Sequence, residues 1–512
     1  MRARITGLDQ ESQRGFLTDK TSVYRDLADL LIRQGRLAEA QHVLGMLKEE
    51  EFSDFLRRSE SGGDTQRKMA FQPHEQPWHD QLGVLTARLS KAALDHAVLE
   101  RRAKIGLSEA EQARLAELNR EKETLSEDLQ RYYRDVTSAF ASARGSDAPA
   151  ADAVMQLKLT QQNLASLGAG SVLVQYVLSE NRLNIILTTA TSQIAKSVEV
   201  AQKDLNAKIE FFRVALRNPA ISALPMAQEL YKLLIVPIEE ELNAARARTL
   251  MISLDGALRY IPVAALHDGK RYLAERYDMS LYTEVTKGNL DSRPAKDVSI
   301  AGLGLTRQIE AFDPLPEVRA ELNAIVRNGN QGLIKGELHF DEQFNLVNLK
   351  QALLRKHPLI HLASHFVFRP GNESTSFLLL GDGDHLTLSR IRQEQLDFTH
   401  VDLVTLSACE TGVGGGRTAQ GEEVEGLGAL VQKQGAKGVI ATLWPVADES
   451  TGLFMQHFYR LREEKKLSKA DALRQAQLLL IRGQPASGGG KPEAPFAHPY
   501  FWAPFILMGN WL

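Results

Sequence analysis

Two apolar, strand-like runs each end beside a residue that could take part in nucleophilic catalysis. The run LIHLAS ends at Ser364 and is followed by His365 and then by a Pro-Gly turn. The run VDLVTLSA ends at Ala408 and is followed by Cys409, the single cysteine of the chain. Ligands of open α/β sheets bind beyond the carboxyl ends of the strands. If the two runs are neighbouring parallel strands, His365 and Cys409 emerge at the same edge of the sheet.

A histidine beside a cysteine is the pair that thiol-based catalysis requires. A free thiol has a pKa of about 8.5, so an imidazole must accept its proton or stabilise its thiolate. The same imidazole can protonate the leaving amine, and backbone amides near His365 and at Cys409 would stabilise the oxyanion. Spacing alone leaves a second interpretation open, because a lone cysteine is often a small buried apolar residue and a lone histidine is often structural.

Three histidines suggest a metal site that the local pattern disfavours. His357, His361 and His365 have the four-residue spacing that brings imidazoles together on one face of a helix. Pro358 and the apolar run favour a strand instead, on which successive histidines lie about 13 Å apart. That distance is too large for one zinc ion. We therefore expect no metal and no cofactor.

Two glycine-rich segments resemble nucleotide-binding motifs only weakly. The loop GVGGGRTAQGEE lacks the Gly-Lys-Ser/Thr ending of a phosphate-binding loop, and Glu422, Glu423 and Glu425 would repel phosphate. The pair Gly302 and Gly304 lacks a third glycine at the dinucleotide-binding spacing. We expect the longer loop to be mobile and to move when substrate binds.

A carboxylate follows a third strand-like run. The run KGVIATLW is followed by Pro445 and then by Asp448, which we expect at the same edge as His365 and Cys409. Asp448 could contact a substrate there, or it could cap the helix that begins at Glu449. Both roles are compatible with the sequence.

The elements that position these residues indicate an α/β domain in the C-terminal two thirds of the chain. Short Val/Ile/Leu-rich runs alternate with helical stretches, which is typical of a mostly parallel sheet covered by helices on both faces. The runs are SVLVQYVL, RLNIILTTA, TLMISL, VSIAGLGL, LIHLAS, VDLVTLSA and KGVIATLW.

The N-terminal region is predicted to be all-α. Residues 1–58 show a helical period that Gly35 interrupts, as in one tetratricopeptide (TPR) hairpin, although an ordinary helical hairpin fits equally well. Residues 59–80 are polar and read as a linker. Residues 81–145 are predicted to form a long helical pair or coiled coil, in which Ser108 and Glu111 make a capping box.

Composition excludes several classes of protein. The 512 residues are 43% hydrophobic and 24% charged, and this length and composition predict a globular protein of about three domains. The net charge of −3 predicts no global basic surface for nucleic acid. One cysteine excludes an intramolecular disulfide framework. No run approaches the ~18 apolar residues of a membrane span, and the first residues lack the apolar segment of a secretory signal. We expect a cytoplasmic protein.

Several separated motifs together resemble the CHAT domain family. They are MISLDGALRYIPVAALHDG, YLAERYDMSLYT, HLASHFVFRPGN, LSACETGVGGG, QGEEVEGLGALVQKQGAKGVIATLWPVADEST and HPYFWAPFILMGNW, in the family's order. The resemblance covers roughly Gly170 to Leu512. It implies a caspase-like cysteine peptidase fold, related to separase and often preceded by TPR helices.

The resemblance implies roles for particular residues. His365 matches the family's catalytic histidine and Cys409 its nucleophile, with oxyanion donors at the backbone amides of Phe366 and Cys409. Many family members carry glycine shortly after the histidine, where this chain has Phe366. Asp448 follows LWPV much as an aspartate does in separase-like sequences, which implies a pocket for a basic P1 side chain, with Glu422 or Glu423 assisting.

The sequence thus predicts a cysteine endopeptidase that cleaves a protein or peptide substrate through an acyl-enzyme. The predicted peptidase domain spans residues 153–512, with a pseudo-peptidase-like first half (153–295) and a catalytic half (296–512). We expect a regulatory protein or ribonucleoprotein to bind the N-terminal helices. The alternative is a non-catalytic TPR/CHAT scaffold, since fold alone does not establish activity, and a thiol acyltransferase would use the same dyad.

Overall fold

The computed structural model describes most of the chain. It describes residues 10–57, 108–142, 148–283, 297–327, 331–367, 376–408, 430–444, 448–483 and 495–512, together with residues 81, 84, 85, 88, 95, 99, 428 and 446. The chain divides into two compact units, one of Met1–Asp19 with Gly62–Asp152 and one of Lys20–Ser61 with Ala153–Leu512. The predicted linker, residues 59–80, lies outside the described residues.

Helices form the described N-terminal part and flank the sheet of the larger unit. In chain order they are α1 (Gln10–Arg33), α2 (Leu37–Arg57), α3 (Glu109–Ser142), α4 (Ala148–Ser166), α5 (Gln202–Leu216), α6 (Leu224–Leu234), α7 (Glu239–Ala244), α8 (Glu317–Ile325), α9 (Leu346–Leu354), α10 (Leu388–Gln393), α11 (Asp448–Lys465), α12 (Lys469–Arg482) and α13 (Pro499–Trp502). None of the described helices is long and apolar enough to cross a membrane.

The strands of the larger unit form one long sheet and one small one. They are β1 (Ser171–Ser179), β2 (Arg182–Thr188), β3 (Gln193–Glu199), β4 (Thr249–Ser253), β5 (Asp278–Leu281), β6 (Ile300–Gly304), β7 (Val326–Arg327), β8 (Ile334–Phe340), β9 (Leu359–Ser364), β10 (Phe366–Val367), β11 (Phe377–Leu379), β12 (His385–Thr387), β13 (Leu403–Ala408), β14 (Gly438–Thr442) and β15 (Phe505–Gly509). The long sheet has the order β3-β2-β1-β4-β5-β15-β14-β13-β9-β6-β8-β7, and the small sheet the order β10-β11-β12.

The long sheet consists of two parallel blocks that run in opposite directions. Strands β1, β4, β5 and β15 are parallel to one another, and so are β14, β13, β9, β6 and β8. The blocks meet at the antiparallel pair β14–β15. The carboxyl ends of the two blocks therefore lie at opposite edges of the sheet. The predicted fold class, a mostly parallel sheet flanked by helices with an all-α N-terminal region, is confirmed.

The first strands depart from a parallel arrangement. Strands β1, β2 and β3 pair antiparallel. Only Glu180 and Asn181 separate β1 from β2, and a parallel connection needs a crossover of about a dozen residues. This end of the sheet is therefore an antiparallel meander.

The smaller unit contains α3, which begins at the capping box that the sequence predicts. The backbone amide of Ser108 donates to Glu111 Oε2 at 2.9 Å, and the amide of Glu111 donates to Ser108 Oγ at 3.4 Å. Leu118 and Leu125 of α3 are buried and pack with Leu85 and Leu99. These two reciprocal bonds are the capping box that the sequence predicts.

The helical hairpin α1–α2 packs on the sheet of the larger unit. Gly35 adopts a φ of +72° in the turn between the two helices, a conformation that suits glycine. Ala28 and Leu47 are buried in a cluster that also contains Val177 of β1 and Ile186 of β2. The hairpin is therefore part of the core of this unit; its kinship with TPR repeats stays a prediction.

Buried charges also join the hairpin to the sheet. Arg25 of α1 makes two hydrogen bonds to Asp255, which follows β4, and Glu51 of α2 pairs with both Arg25 and Arg259. The backbone amide of Leu178 donates to Asp255 Oδ2 at 3.0 Å. Burial alone would raise the pKa of Asp255, but the Arg25 guanidinium holds that pKa well below its usual range. These residues form a buried ion network between the hairpin and the sheet.

Candidate active site

The strands that precede His365 and Cys409 are direct neighbours. Strand β9 pairs in parallel with β13, from Leu359 opposite Leu403 to Ser364 opposite Ala408. His365 is the next residue after Ser364, and Cys409 is the next residue in the sequence after Ala408. The predicted adjacency of the two strands is confirmed. Cys409 itself lies outside the described residues.

The backbone of His365 is fixed by two sheets at once. Ser364, the last residue of β9, is buried, and its hydroxyl donates to the carbonyl of Leu379. The carbonyl of His365 accepts a hydrogen bond from the amide of Leu379 at 2.9 Å. Phe366 then begins β10 and pairs with Leu378 of β11. Strand β11 of the small sheet thus hydrogen-bonds to the chain at His365 and pairs with the residue after it.

The imidazole of His365 has a defined tautomer. Its Nε2 lies 2.8 Å from the backbone carbonyl oxygen of Asp313. A carbonyl can only accept, so Nε2 carries the hydrogen and the neutral ring keeps its lone pair on Nδ1. The ring of Phe312 lies beside the imidazole, with centroids 5.2 Å apart. Nδ1 is therefore the nitrogen that can accept a proton.

The loop that presents the Asp313 carbonyl is tied to the end of β8. This loop follows β6, and the amide and hydroxyl of Thr306 donate to Asp341 Oδ1 at 2.8 and 2.9 Å. Arg319 of α8 donates to the other carboxylate oxygen of Asp341 at 3.0 Å. The aromatic ring of Phe312, in the same loop, also meets Phe377 edge-on. These contacts set the position of the carbonyl that orients His365.

The other predicted site residues are placed only in part. Phe366 begins β10 with its ring buried, and Asp448 is the first residue of α11. Strand β14, which precedes Asp448, is parallel to β13, so its carboxyl end lies at the edge where His365 lies. Glu422 and Glu423 are outside the described residues. The oxyanion and substrate-binding roles stay predictions.

The three histidines that suggested a metal have separate partners. His357 Nδ1 is 2.9 Å from Ser299 Oγ, His361 Nε2 is 2.9 Å from Glu321 Oε1, and His365 contacts the loop after β6. Within the described ranges, no group of three or more His, Cys, Asp or Glu side chains could hold a metal ion.

The glycines of β6 serve helix packing. A Cβ on Gly304 would lie 2.6 Å from Val318 Cγ1 and 2.7 Å from Leu322 Cδ1, both on α8. A Cβ on Gly302 would also press on Leu322. Because these two positions have no side chain, α8 approaches β6 closely. This contact explains the Gly-x-Gly pattern without a nucleotide.

A buried polar cluster that was not identified from the sequence lies on β9 and β13, the strands that precede His365 and Cys409. His361 is a β9 residue with no exposed surface, and it contacts Glu321 of α8. Thr405 of β13 is equally buried, and its hydroxyl lies 2.7 Å from the hydroxyl of Tyr459 on α11. A histidine and a threonine inside otherwise apolar strand runs are the signal that could have revealed the cluster.

A small cavity lies elsewhere in the larger unit. It has a volume of about 40 Å³ and lies between α12 and strands β5 and β15, lined by residues such as Ser280, Leu473 and Phe505. Such a volume holds one or two water molecules. None of its lining residues belongs to the neighbourhood of His365.

Comparison with known proteins establishes the family. The profile of the CHAT domain matches residues 224–510, more than half of the chain. The chain therefore belongs to the CHAT domain family, and the resemblance found in the sequence is confirmed over that range.

Comparison with solved structures finds a similar chain in separase. Saccharomyces cerevisiae separase, in its crystal structure with securin, is similar at a TM-score of 0.42 and 11% sequence identity. The alignment covers 99% of this chain and 49% of the separase chain, so this chain spans about half of that length. Among curated proteins there is no match.

Proposed function

We propose that this protein is a cysteine endopeptidase that uses His365 and Cys409. The observation that carries the proposal is the register of β9 and β13, in which the residues preceding His365 and Cys409 face each other across a parallel ladder. The hydrogen bond from His365 Nε2 to Asp313 supports it, because it leaves Nδ1 free to accept the thiol proton. Membership of the CHAT domain family is consistent with this chemistry.

The proposed reaction proceeds through an acyl-enzyme. Nδ1 of His365 takes the proton of the Cys409 thiol, and the sulfur attacks the carbonyl carbon of the scissile peptide. The backbone amides of Phe366 and Cys409 stabilise the oxyanion. Nδ1 then returns the proton to the leaving amine, and water hydrolyses the thioester with the same histidine as general base.

We also propose a preference for a basic P1 side chain. Asp448 follows β14, whose carboxyl end lies at the edge of the sheet where His365 lies. A carboxylate there would pair with Arg or Lys, and a bidentate contact favours Arg. Glu422 and Glu423 would assist as a second and third acidic group.

Control by a partner is a further part of the proposal. The hairpin α1–α2 is bound to the sheet through buried charges. On α1, Val23, Leu27 and Leu30 are 63%, 42% and 42% exposed and follow a helical spacing, which favours docking of another protein surface. A regulatory protein or ribonucleoprotein that binds these helices would act on the peptidase unit through the hairpin.

Cleavage of a peptide library by the purified full-length chain tests the proposal. The wild type should cleave, preferentially after Arg or Lys, and both Cys409→Ala and His365→Ala should abolish cleavage. Asp448→Asn should weaken cleavage after basic residues. Cleavage by Cys409→Ala at the wild-type rate would refute the dyad.

The rate of alkylation distinguishes an enzyme from a scaffold. Because Cys409 is the sole cysteine, iodoacetamide labelling reports on it alone. A catalytic thiolate should react with a pH midpoint below the ~8.5 of a free thiol. A midpoint near 8.5, together with no cleavage of any peptide, would favour the non-catalytic scaffold.

A further inference from the structure

The two strands that end at the proposed dyad carry buried polar partners four residues before it. His361 of β9 and Thr405 of β13 face each other in the parallel register, and both are 0% exposed. Each lies four residues, about 13 Å of extended chain, before a member of the dyad. Fully buried polar side chains in the middle of a sheet are uncommon unless they are paired.

Each of these side chains has a partner on a helix. His361 Nε2 is 2.9 Å from Glu321 Oε1 of α8, and Thr405 Oγ1 is 2.7 Å from the hydroxyl of Tyr459 on α11. The rings of His361 and Tyr459 lie 5.6 Å apart with their planes tilted by 35°, which joins the two pairs. We call Glu321, His361, Thr405 and Tyr459 the buried clamp.

The clamp is a polar cluster in a dry environment. Glu321 is 3% exposed and Tyr459 is fully buried. The contact between His361 and Glu321 has the distance of an ion pair without the angle of a hydrogen bond. Burial raises the pKa of Tyr459, whose hydroxyl thus stays protonated; Glu321 and Arg462 are the charged groups that act on it. Well-packed apolar side chains are often as stabilising as buried polar or ionic clusters, or more so, so stability alone does not explain the cluster.

The place of the clamp suggests a role in alignment. A slip of one residue between β9 and β13 would shift their carboxyl ends by about 3.3 Å and exchange the faces of the side chains. Displacement of reacting groups by about 1 Å costs about 100-fold in rate. We propose that the buried clamp is a positioning network that holds β9 and β13 in the register required for thiol catalysis by His365 and Cys409. This inference rests on the proposed peptidase function.

The test compares the loss of two buried tyrosine hydroxyls in the full-length protein. Tyr459→Phe removes the hydroxyl that meets Thr405, and Tyr176→Phe removes one that donates to the Leu234 carbonyl at 3.0 Å in the other block of the sheet. We measure Tm, kcat and KM on a cleaved peptide, and the pH profile of iodoacetamide labelling of Cys409. Both variants should lose similar Tm, since each loses one buried hydrogen bond.

A positioning role predicts that the two variants differ in catalysis. Tyr459→Phe should lower kcat by about 10- to 100-fold with KM nearly unchanged, and it should move the labelling midpoint toward the ~8.5 of a free thiol. Tyr176→Phe should keep the wild-type kcat and midpoint. A Tyr459→Phe protein with the kcat and labelling profile of Tyr176→Phe would overturn the inference.

A second pair of variants, at Thr405, tests the same inference if the Tyr459→Phe protein does not fold. Thr405→Val keeps the shape and removes the hydroxyl, whereas Thr405→Ser keeps the hydroxyl. Thr405→Ser should retain most of the wild-type kcat, and Thr405→Val should lose it as Tyr459→Phe does; equal kcat values in the two variants overturn the inference. The labelling of the wild type separates this inference from the proposed function. If the pH midpoint of Cys409 labelling in the wild type is near the ~8.5 of a free thiol and no peptide is cleaved, the proposed function fails, and the positioning role fails with it. If the wild-type midpoint is low and Thr405→Val leaves it unchanged, only the positioning role fails.

Discussion

Replacement of Arg25 by methionine tests whether buried charge holds the N-terminal hairpin on the sheet. Arg25 Nε and Nη2 donate to the two oxygens of Asp255 at 2.9 and 2.8 Å. The side chains are only 7% and 2% exposed. Methionine retains much of the volume and removes the guanidinium, so Asp255 loses its two strongest donors. Breaking a buried pair by removing one partner costs about 3–5 kcal/mol.

This cost translates into a measurable change of Tm. Unfolding entropy is about 2.1 cal/mol/K per residue, so for a unit of about 400 residues each kcal/mol shifts Tm by about 1.2 °C. Arg25→Met should therefore lower Tm by about 4–6 °C in calorimetry at pH 7. Arg33→Met is the matched control on the same helix, because Arg33 pairs with Asp29 while 55% exposed. It should cost at most about 1 kcal/mol.

The pH dependence gives an independent check on the same pair. The folded-state pKa of Asp255 lies below the ordinary value of 3.8, and the Arg25 guanidinium overcomes the opposing effect of burial. The contribution of the Arg25–Asp255 pair to the free energy of unfolding is therefore fully present above about pH 5. It decreases as the pH falls below about 4. The Tm gap between wild type and Arg25→Met should be widest near pH 7 and should narrow in acid. Equal Tm values at pH 7, or a gap that stays constant down to about pH 2, would refute the reasoning.

Three further changes test other parts of the fold. Lys469→Met should raise Tm at pH 7, because burial lowers the pKa of Lys469 well below 10.5 and the charged amine therefore opposes folding. The gain should shrink as the pH rises toward 10.5, and a lower Tm at pH 7 would contradict this. Gly304→Ala should destabilise by about 1–3 kcal/mol in denaturant titrations, whereas Gly452→Ala, whose Cβ would meet nothing within 4 Å, should stabilise by up to about 1 kcal/mol. A truncated chain of residues 153–512 lacks Arg25 and should show lower soluble yield and Tm than the full-length chain; equal values would show that the hairpin is dispensable.

The sequence predicted the central strands correctly because their apolar runs are bounded by clear breaks. All seven strand-like runs are strands in the structure, and the expected neighbourhood of β9 and β13 holds. The direction of the first strands was predictable as well, since the two residues between β1 and β2 are too few for a crossover. The sheet as a whole is mostly parallel, as expected, and this antiparallel end is the exception to it.

Other features depend on contacts that no local pattern records. The carbonyl of Asp313 that orients His365 belongs to a loop some fifty residues earlier in the chain, and a backbone acceptor leaves no trace in residue type. The ion network of Arg25, Glu51, Asp255 and Arg259 joins segments more than 200 residues apart. Charged residues on an amphipathic helix normally face solvent, so the sequence offered no reason to place Arg25 and Glu51 inside.

The reversal of direction at β14 and β15 decides how the hairpin can influence the proposed site. Asp255 follows β4, so the ion network lies at the carboxyl edge of the first block, whereas His365 lies at the carboxyl edge of the second. Because these edges are opposite, the ion network and His365 lie at different ends of the strands. We expect a partner bound to the hairpin to influence the proposed site through the sheet, in which the paired strands β9 and β13 lie next to His365. Loss of Arg25 should therefore lower stability while the labelling midpoint of Cys409 in the folded protein stays unchanged, and loss of the Tyr459 hydroxyl should move that midpoint.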